Sequence, residues 1–243
     1  MLFNLLKSKP TLKELIPNGF VDIHSHILPS IDDGAKTLEE SILLLKELKK
    51  IGFSKIYGTP HTYPGLYENT TKSIKNSFDK LKSVINDSLI IDYASEYLLN
   101  NKLIESANEK KLLTISDNFL LVEFNFINMP LDFHEIIFNL QTNDISIILA
   151  HPERYTFLHD DFNKYYTLKK LGVYFQLNLL SVVGYYGPKI LKVSDKLLKN
   201  NMIDFVGSDV HNLNHIKNFS RKIKINEKEQ FLNAIENNLN YFK

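Results

Sequence analysis

Short apolar runs recur along the chain, and the stretches between them have a helical period. Seven runs have the length and composition of buried strands: Phe20–His24, Lys55–Thr59, Leu89–Ser95, Phe119–Phe124, Ile145–Ala150, Val173–Asn178 and Ile203–Gly207. The clearest helix begins with the capping-box pattern TLEE at Thr37 and places Ile42, Leu45 and Leu48 on one face.

Seven strand–helix units in series, with no long linker between them, predict a parallel α/β sheet. Closed on itself, such a sheet would form a (β/α)7 variant of the eight-stranded barrel, whereas left open it would be doubly wound. The periodicity alone does not decide between these two architectures. Residues 1–19 are predicted to be an N-terminal extension that ends in turn-forming residues, and residues 20–243 are predicted to be a single domain.

Composition narrows the classes of function. The 243 residues carry a formal net charge of +1, which gives no indication of a nucleic-acid partner. The sequence contains no cysteine, which excludes disulfides, thiolate metal sites and a cysteine nucleophile. The apolar run at the N-terminus is too short for a signal sequence or a membrane span, so a cytoplasmic protein without membrane insertion is predicted.

Potential metal ligands follow six of the seven predicted strands. Because the carboxyl ends of parallel strands face the same side, these side chains are expected to lie in one cavity. They are His24, His26, His61, Glu96, Glu123, His151, Asp209 and His211. A mixed set of imidazoles and carboxylates suits Mn²⁺, Fe²⁺ or Zn²⁺. The set is too large for one ion and sufficient for two or three, so a multinuclear metal centre is predicted.

The remaining candidates are an arginine and three histidines. Arg154, one of two arginines in the chain, follows His151 closely, and its forked donors match phosphate oxygens. A surface salt bridge is the alternative interpretation of Arg154. His134 and His159 are predicted to be exposed to solvent, whereas His215 is predicted to lie close enough to the metal centre to touch a substrate.

Six motifs carry a family resemblance: DIHSHILPSIDDGAKTLEES, GTPH, SEYL, LVEF, AHPERY and GSDVHN. In this order they resemble the polymerase and histidinol phosphatase (PHP) superfamily. Within it, they are most similar to the metal-dependent protein-tyrosine phosphatases of bacterial capsule and exopolysaccharide systems, the CpsB/YwqE type. The resemblance covers the chain from about Phe20 to His211. It implies a distorted TIM-like (β/α)7 barrel with the active site at the carboxyl ends of the strands.

The resemblance also implies roles for particular residues. The eight candidate ligands would bind metal, Asp33 would belong to the site, and Arg154 would bind the phosphoryl group. Asp32 is interpreted as structural, and Ser30 stands where many relatives have glycine.

The implied activity is hydrolysis of phosphotyrosine in proteins by a metal-activated hydroxide. Mn²⁺ is the preferred ion, with Fe²⁺ or Zn²⁺ as alternatives, and Glu123 is the candidate bridge between ions. The implied partner is the tyrosine-rich tail of a bacterial kinase of polysaccharide synthesis. Five tyrosines are candidates for the rim that would meet such a tail: Tyr63, Tyr67, Tyr155, Tyr185 and Tyr186.

Three other functions stay open. A small-molecule phosphomonoesterase of the histidinol-phosphatase type would use the same scaffold. A metal-dependent amidohydrolase also begins with the HxH pattern, but it would be expected to have a lysine or carboxylate bridge and usually a lone terminal aspartate. A barrel that only binds a partner kinase is the third, and the intact ligand set argues against it.

Overall fold

The computed structural model describes residues 8–85 and 89–243, and within them strands and helices alternate. The strands are β1 (Phe20–Ser25), β2 (Phe53–Gly58), β3 (His61–Thr62), β4 (Ile90–Tyr93), β5 (Glu96–Leu98), β6 (Phe119–Glu123), β7 (Ser146–Ala150), β8 (Tyr174–Asn178) and β9 (Phe205–Gly207). The helices are α1 (Leu12–Leu15), α2 (Leu38–Ile51), α3 (Thr71–Lys82), α4 (Lys102–Asn108), α5 (Phe133–Gln141), α6 (Thr156–His159), α7 (Asn163–Lys170), α8 (Pro188–Lys199), α9 (Leu213–Asn218) and α10 (Lys228–Phe242). Two 3-10 turns, Pro152–Arg154 and Leu179–Val183, follow β7 and β8.

The strands form two parallel sheets, which confirms the predicted α/β class. One has the order β1-β2-β4 and the other the order β3-β5-β6-β7-β8-β9. Each of the seven predicted strands corresponds to a strand whose ends differ from the prediction by at most two residues. The chain continues from β2 into β3 and from β4 into β5 after two residues each time, so two strands cross from the first sheet to the second.

The first and last strands lie side by side. One parallel bridge joins Ser25 to Val210. Beside it, the Asp209 amide donates to the His24 carbonyl at 2.8 Å, and the His26 amide donates to the Val210 carbonyl at 3.0 Å. The two sheets therefore adjoin at the edge where a barrel would close. Closure into a continuous barrel stays a prediction.

A side chain of α10 links the same two strands nearer their amino ends. The buried amide of Asn238 donates to the carbonyls of Val21 at 2.9 Å and Val206 at 2.8 Å. Its oxygen accepts from the Val206 amide at 3.0 Å. Asn238 thereby supplies backbone groups of β1 and β9 with hydrogen bonds that a sheet partner would otherwise provide.

The helices pack on the sheets through apolar faces. In α2, Leu44, Leu45 and Leu48 are buried, whereas Ile42 is partly exposed. The predicted capping box forms only in part: Thr37 Oγ1 accepts from the Glu40 amide, but the Glu40 carboxylate accepts from the Lys36 amide instead of the Thr37 amide.

Part of the predicted N-terminal extension packs on the main core. Residues 1–7 of it lie outside the described residues. Leu12 and Ile16 are buried in the same apolar cluster as Phe20. The boundary of the domain at residue 20 stays a prediction. Across the described residues, no helix combines the length and the apolar character needed to span a bilayer.

Candidate metal centre

The carboxyl ends of six strands bring imidazoles and carboxylates to one buried place. The contributing strands are β1, β2, β4, β6, β7 and β9, and the residues lie at their carboxyl ends or up to four residues beyond them. His61 and Glu96, which follow β2 and β4, begin the short strands β3 and β5. His24 and His26 are on the same side of β1, and their Nε2 atoms are 3.3 Å apart. The alternation of side chains along a strand explains this shared direction.

Possible ligand atoms form four overlapping groups, and within each group the atoms lie within 4.8 Å of one another. They are His26, Asp33, His61 and His211; His24, His151 and Asp209; His24, His26 and Glu96; and His61, Glu96 and Glu123. These nine residues, called the cluster below, comprise all eight candidate ligands and Asp33. The structure therefore brings every predicted metal-site residue together.

Glu96 lies at the centre of the cluster. Its Oε2 is 3.2 Å from His24 Nε2, 3.4 Å from His26 Nε2 and 3.1 Å from His61 Nδ1. Its Oε1 is 3.0 Å from His151 Nε2. Glu123 approaches His61 Nδ1 at 2.8 Å. Glu96 belongs to two of the four groups and Glu123 to one. The expectation that Glu123 bridges two ions stays a prediction.

Asp33 lies at the open side of the cluster. Its Oδ1 is 3.5 Å from His61 Nε2 and 3.4 Å from His211 Nε2, and its side chain is 49% exposed. The ring of Tyr67 stacks on His61 with centroids 5.3 Å apart. Asp33 and His61 therefore form the side from which a substrate can reach the cluster.

Several buried polar atoms of the cluster lack hydrogen bonds. Within residues 8–85 and 89–243, His61 Nδ1, Glu96 Oε2 and Glu123 Oε1 have no hydrogen-bond partner, although they are close to one another. A buried polar atom without a partner is costly, and native proteins rarely keep one without a ligand or water. Since these three atoms make up one of the four groups, the donor set fits a divalent cation.

The charges of the cluster also fit a divalent cation. Burial raises the pKa values of Glu96 and Asp209, but the neighbouring imidazoles, above all His24, outweigh it and hold both pKa values well below the ordinary range. Burial lowers the pKa of His61, but the Glu96 carboxylate outweighs it and raises that pKa to about 10. Ionised carboxylates therefore draw protons onto the histidines, and bound cations would replace those protons.

His151 differs from the other histidines. Burial and the neighbouring Arg154 lower the pKa of His151 to about 4, so its imidazole is neutral at physiological pH. A neutral imidazole is the form that binds metal.

Neighbouring residues set the orientation of the imidazoles. Gln176 Oε1 lies 2.8 Å from His24 Nδ1, and Asp32 Oδ2 lies 2.7 Å from His26 Nδ1. Both contacts leave Nε2 directed into the cluster. Such partners fix the tautomer and orientation of metal-binding histidines. Asp32, interpreted from sequence as structural, therefore orients His26 directly.

The backbone is strained at two members of the cluster. His151 has φ +36° and Asp209 has φ +50°. Both values lie in the left-handed region, which residues other than glycine rarely adopt. Strain of this kind concentrates at functional sites, where the surrounding structure enforces it. Ser30 also has φ +58°, a conformation that glycine adopts without this cost.

Arg154 lies next to the cluster, as predicted. Its Nη1 donates to Asp209 Oδ2 at 2.7 Å. Its guanidinium carbon is 4.6 Å from the centre of the Tyr186 ring and 5.1 Å from that of Phe126. The side chain is 22% exposed. One carboxylate and two aromatic rings thus hold the guanidinium at the edge of the cluster.

A pocket of about 280 Å³ opens above this guanidinium. It is lined by Asp33, Arg154, Tyr186, Asp209, His211, Asn212 and His215, and it is called the mouth pocket below. His215 lies here as expected, with Nδ1 3.1 Å from the Asp209 carbonyl. The mouth pocket joins the predicted metal ligands to the predicted phosphate-binding arginine.

Two expectations about surface residues were wrong. Tyr155 is not part of the rim: it is fully buried, and its hydroxyl accepts from the Phe124 amide at 3.0 Å. His159 is not fully exposed in a loop: it ends α6, and its Nε2 donates to the Glu153 carbonyl at 2.8 Å. His134 lies exposed on α5, as predicted.

Sequence reasoning missed the contribution of β8. Besides Gln176, this strand carries Asn178, whose buried amide donates to Asp209 Oδ2 at 2.8 Å and to the Tyr186 hydroxyl at 3.0 Å. Their position in the sequence could have indicated this role, because the two amides stand at the end of a strand, where the other strands carry candidate ligands.

Fold and cluster together define a class of protein: metal-dependent hydrolases that hold their ions at the carboxyl ends of parallel strands. The family described as capsular polysaccharide synthesis, CpsB/CapC, matches residues 20–235. The chain therefore belongs to the CpsB/CapC family, and the resemblance carried by the six motifs is confirmed.

Individual relatives agree with this assignment. The tyrosine-protein phosphatase CpsB of Streptococcus pneumoniae is 30% identical over 202 residues, which cover 79% of this chain and 83% of the relative. A crystal structure from work on YwqE of Bacillus subtilis and CpsB of Streptococcus pneumoniae, described as metal-dependent tyrosine phosphatases, matches with a TM-score of 0.77 and 27% identity over 87% of this chain and 85% of that one. A histidinol phosphate phosphatase of Lactococcus lactis matches with a TM-score of 0.54 and 14% identity over 82% of this chain and 90% of that one, so it shares the fold alone.

Proposed function

We propose that this chain hydrolyses phosphotyrosine in proteins, with two or three divalent cations held by the cluster. The relatives named tyrosine-protein phosphatases support this proposal. The observation that carries it is the mouth pocket, which Arg154 lines together with Asp33, Asp209 and His211 of the cluster. Mn²⁺ is the proposed ion, and Fe²⁺ and Zn²⁺ accept the same donors.

Bound divalent ions would supply a water of lowered pKa and stabilise negative charge on the phosphoryl oxygens. The residues of the chain would hold these ions and orient the substrate. Glu96, with His24 and His26, would hold one ion, and Glu96 with His61 and Glu123 would hold another. Asp33 with His26, His61 and His211 would hold an ion at the mouth pocket.

Arg154 would bind the phosphoryl group. A guanidinium has five N–H donors in a planar fork, and Nη1 is engaged with Asp209. Donors that face the mouth pocket are free to meet phosphoryl oxygens, where their charge would stabilise the transition state.

Asp33 is unsuited to donating a proton. Burial raises its pKa, but the hydrogen bond and charge of His211 outweigh burial and hold the pKa well below the ordinary range. An ionised Asp33 therefore acts as a ligand or an acceptor. The leaving phenolate of tyrosine, with an ordinary pKa of about 10, needs less help from an acid than an alkoxide does.

The proposed partner is the tyrosine-rich tail of a bacterial kinase of polysaccharide synthesis, and the proposed location is the cytoplasm. Tyr63, Tyr67, Tyr185 and Tyr186 are partly exposed and remain candidate rim contacts for such a tail. Together with Asp33, they give the site an open side suited to a side chain presented by a protein.

Turnover of a phosphotyrosyl peptide and of histidinol phosphate, measured in parallel with Mn²⁺, tests the proposal. The peptide is expected to be the better substrate. Arg154→Ala is expected to lower kcat about 100- to 1,000-fold, because one preorganised donor is typically worth that much. His151→Ala is expected to abolish turnover by removing a ligand. Preference for histidinol phosphate, or full activity of either variant, would contradict the proposal.

A further inference from the structure

A group of large apolar side chains is exposed beside the mouth pocket. Phe126, Ile127 and Leu131 are 47%, 80% and 99% exposed. Residues 126–131, called the lip below, thus hold three such side chains in one short segment, whereas the other exposed large apolar residues are spread over several elements. Exposed apolar surface that is contiguous marks an interaction site more often than scattered residues do.

The exposure does not come from an unattached loop. The Ile127 amide donates to Asn125 Oδ1 at 2.8 Å, and the Asn101 amide bonds to the Asp132 carboxylate at the far end of the lip. The flanking residues Phe124 and Phe133 are buried. The lip is therefore fixed at both ends while its side chains face solvent.

The lip is continuous with the place where the phosphoryl group would bind. It follows β6, which ends in Glu123 of the cluster. The Phe126 ring lies 5.9 Å from the His151 ring at an interplanar angle of 22°, and 5.1 Å from the guanidinium carbon of Arg154. The lip therefore begins next to the guanidinium that is proposed to bind the phosphoryl group.

We propose that the lip is a docking surface for the substrate polypeptide, and that it packs against apolar side chains next to the phosphotyrosine. This inference rests on the proposed function. It assigns to Ile127 and Leu131 a role in substrate choice that a small phosphomonoester would not need. Phe126 would link the two parts, since it begins the lip and its ring lies 5.1 Å from the guanidinium carbon of Arg154.

Two phosphotyrosyl peptides test the inference, one with leucine on both sides of the phosphotyrosine and one with glycine and serine there. The wild type with Mn²⁺ is expected to have a roughly tenfold higher kcat/KM for the leucine peptide than for the glycine and serine peptide. This ratio is at the lower end of the discrimination that an apolar contact provides. The double variant I127S/L131S is expected to lose this preference while hydrolysing free phosphotyrosine like the wild type. Ile90→Ser is the matched control, because Ile90 is 58% exposed at the amino end of β4, and it should keep the preference.

Other results would overturn the inference in different ways. If the wild type hydrolyses free phosphotyrosine but treats the two peptides alike, the lip proposal fails and the proposed function stands. If the double variant keeps the preference, the lip does not recognise the peptide. If sedimentation shows a wild-type dimer that the double variant lacks, and the peptide preference is unchanged, the lip is a contact between copies of this chain. If neither the peptides nor free phosphotyrosine is hydrolysed, both proposals fail.

Discussion

His26 is held from two directions by the loop that follows it. Asp32 accepts a hydrogen bond from Nδ1 of its ring, and Gly34 packs against its backbone. A Cβ atom on Gly34 would lie 2.1 Å from the His26 carbonyl oxygen and 2.5 Å from the His26 Cβ. Both distances are far shorter than any van der Waals contact. The glycine of the IDDG motif is thus required by the space around a candidate metal ligand.

Replacement of this glycine is therefore expected to damage the metal centre. Gly34→Ala should displace His26 and weaken Mn²⁺ binding by about tenfold or more, the range found when the support of a metal ligand is lost. Titration of the protein with Mn²⁺ by calorimetry checks this. Gly65→Ala is the control, because Gly65 has φ +85° but no atom within 4 Å of the added Cβ, so it strains the backbone without touching the cluster. Equal Mn²⁺ affinity of the Gly34 variant and the wild type would contradict the argument.

The residues of the cluster were predictable from sequence, whereas their supporting partners were not. Each candidate ligand stands at a strand end, and position along a strand fixes the direction of its side chain. The partners Gln176 and Asn178 come from β8, and their choice of hydrogen bond depends on which strands lie next to each other in space. Tyr155 was misplaced for a related reason: a residue in the turn after β7 can face the rim or the core, and the sequence does not distinguish them.

At the scale of elements, the two 3-10 turns at the site are tied together by one buried carboxyl group. Glu153 Oε1 accepts one hydrogen bond from the backbone N–H of Asn178 at 3.0 Å and another from Ser181 Oγ at 2.6 Å. Glu153 lies between His151 and Arg154, and Asn178 contacts Asp209. The position of the arginine is therefore coupled through Glu153 to β8 and the turn after it.

Glu153 gives the fold a pH dependence. Burial raises its pKa from an ordinary 4.5 to about 7. The folded state then keeps a proton that the unfolded state has lost, so this group's contribution to stability falls as pH rises from about 4.5 through 7. In Glu153→Gln the side chain stays neutral and can accept the same hydrogen bonds. Relative to the wild type, the variant is expected to gain roughly 1–3 kcal/mol of unfolding free energy between pH 5 and pH 8.

Urea denaturation at the two pH values measures this difference. Glu109→Gln is the matched control, since the Glu109 side chain is 58% exposed and should change stability equally at both pH values. Parallel pH curves for Glu153→Gln and the wild type would show that Glu153 does not titrate with a raised pKa.

The positions of the strands along the chain were well predicted at this scale, and the division into two sheets was not. Apolar runs locate strands, because a strand buried on both faces needs them. The breaks after β2 and β4 depend on which neighbour each half pairs with, and no residue pattern signals that choice. As a result, β3 and β5, which begin with His61 and Glu96, were expected only as the polar ends of longer strands.

At the scale of the whole molecule, Asn238 joins the first strand, the last strand and the last helix. Replacement by leucine would leave the Val206 amide and the carbonyls of Val21 and Val206 without partners in a buried place. Asn238→Leu is expected to lower the unfolding free energy by about 2–4 kcal/mol, since an unsatisfied buried group typically costs about 1–3 kcal/mol. Chemical denaturation checks this, with the exposed Asn240→Leu on the same helix as the control. A loss below that of the control would mean that the strands do not depend on Asn238.

The same side chain determines when the fold can be completed during synthesis. Asn238 and its partner Val21 are separated by 217 positions in the chain. At a ribosomal rate of about 5–20 residues per second, β1 exists for roughly 10–40 s before the side chain that bonds its carbonyl is made. For most of that interval, until residues 209–211 are made, His24 and His26 are present without Asp209 or His211. The cluster therefore cannot assemble completely until the chain has been made beyond His211.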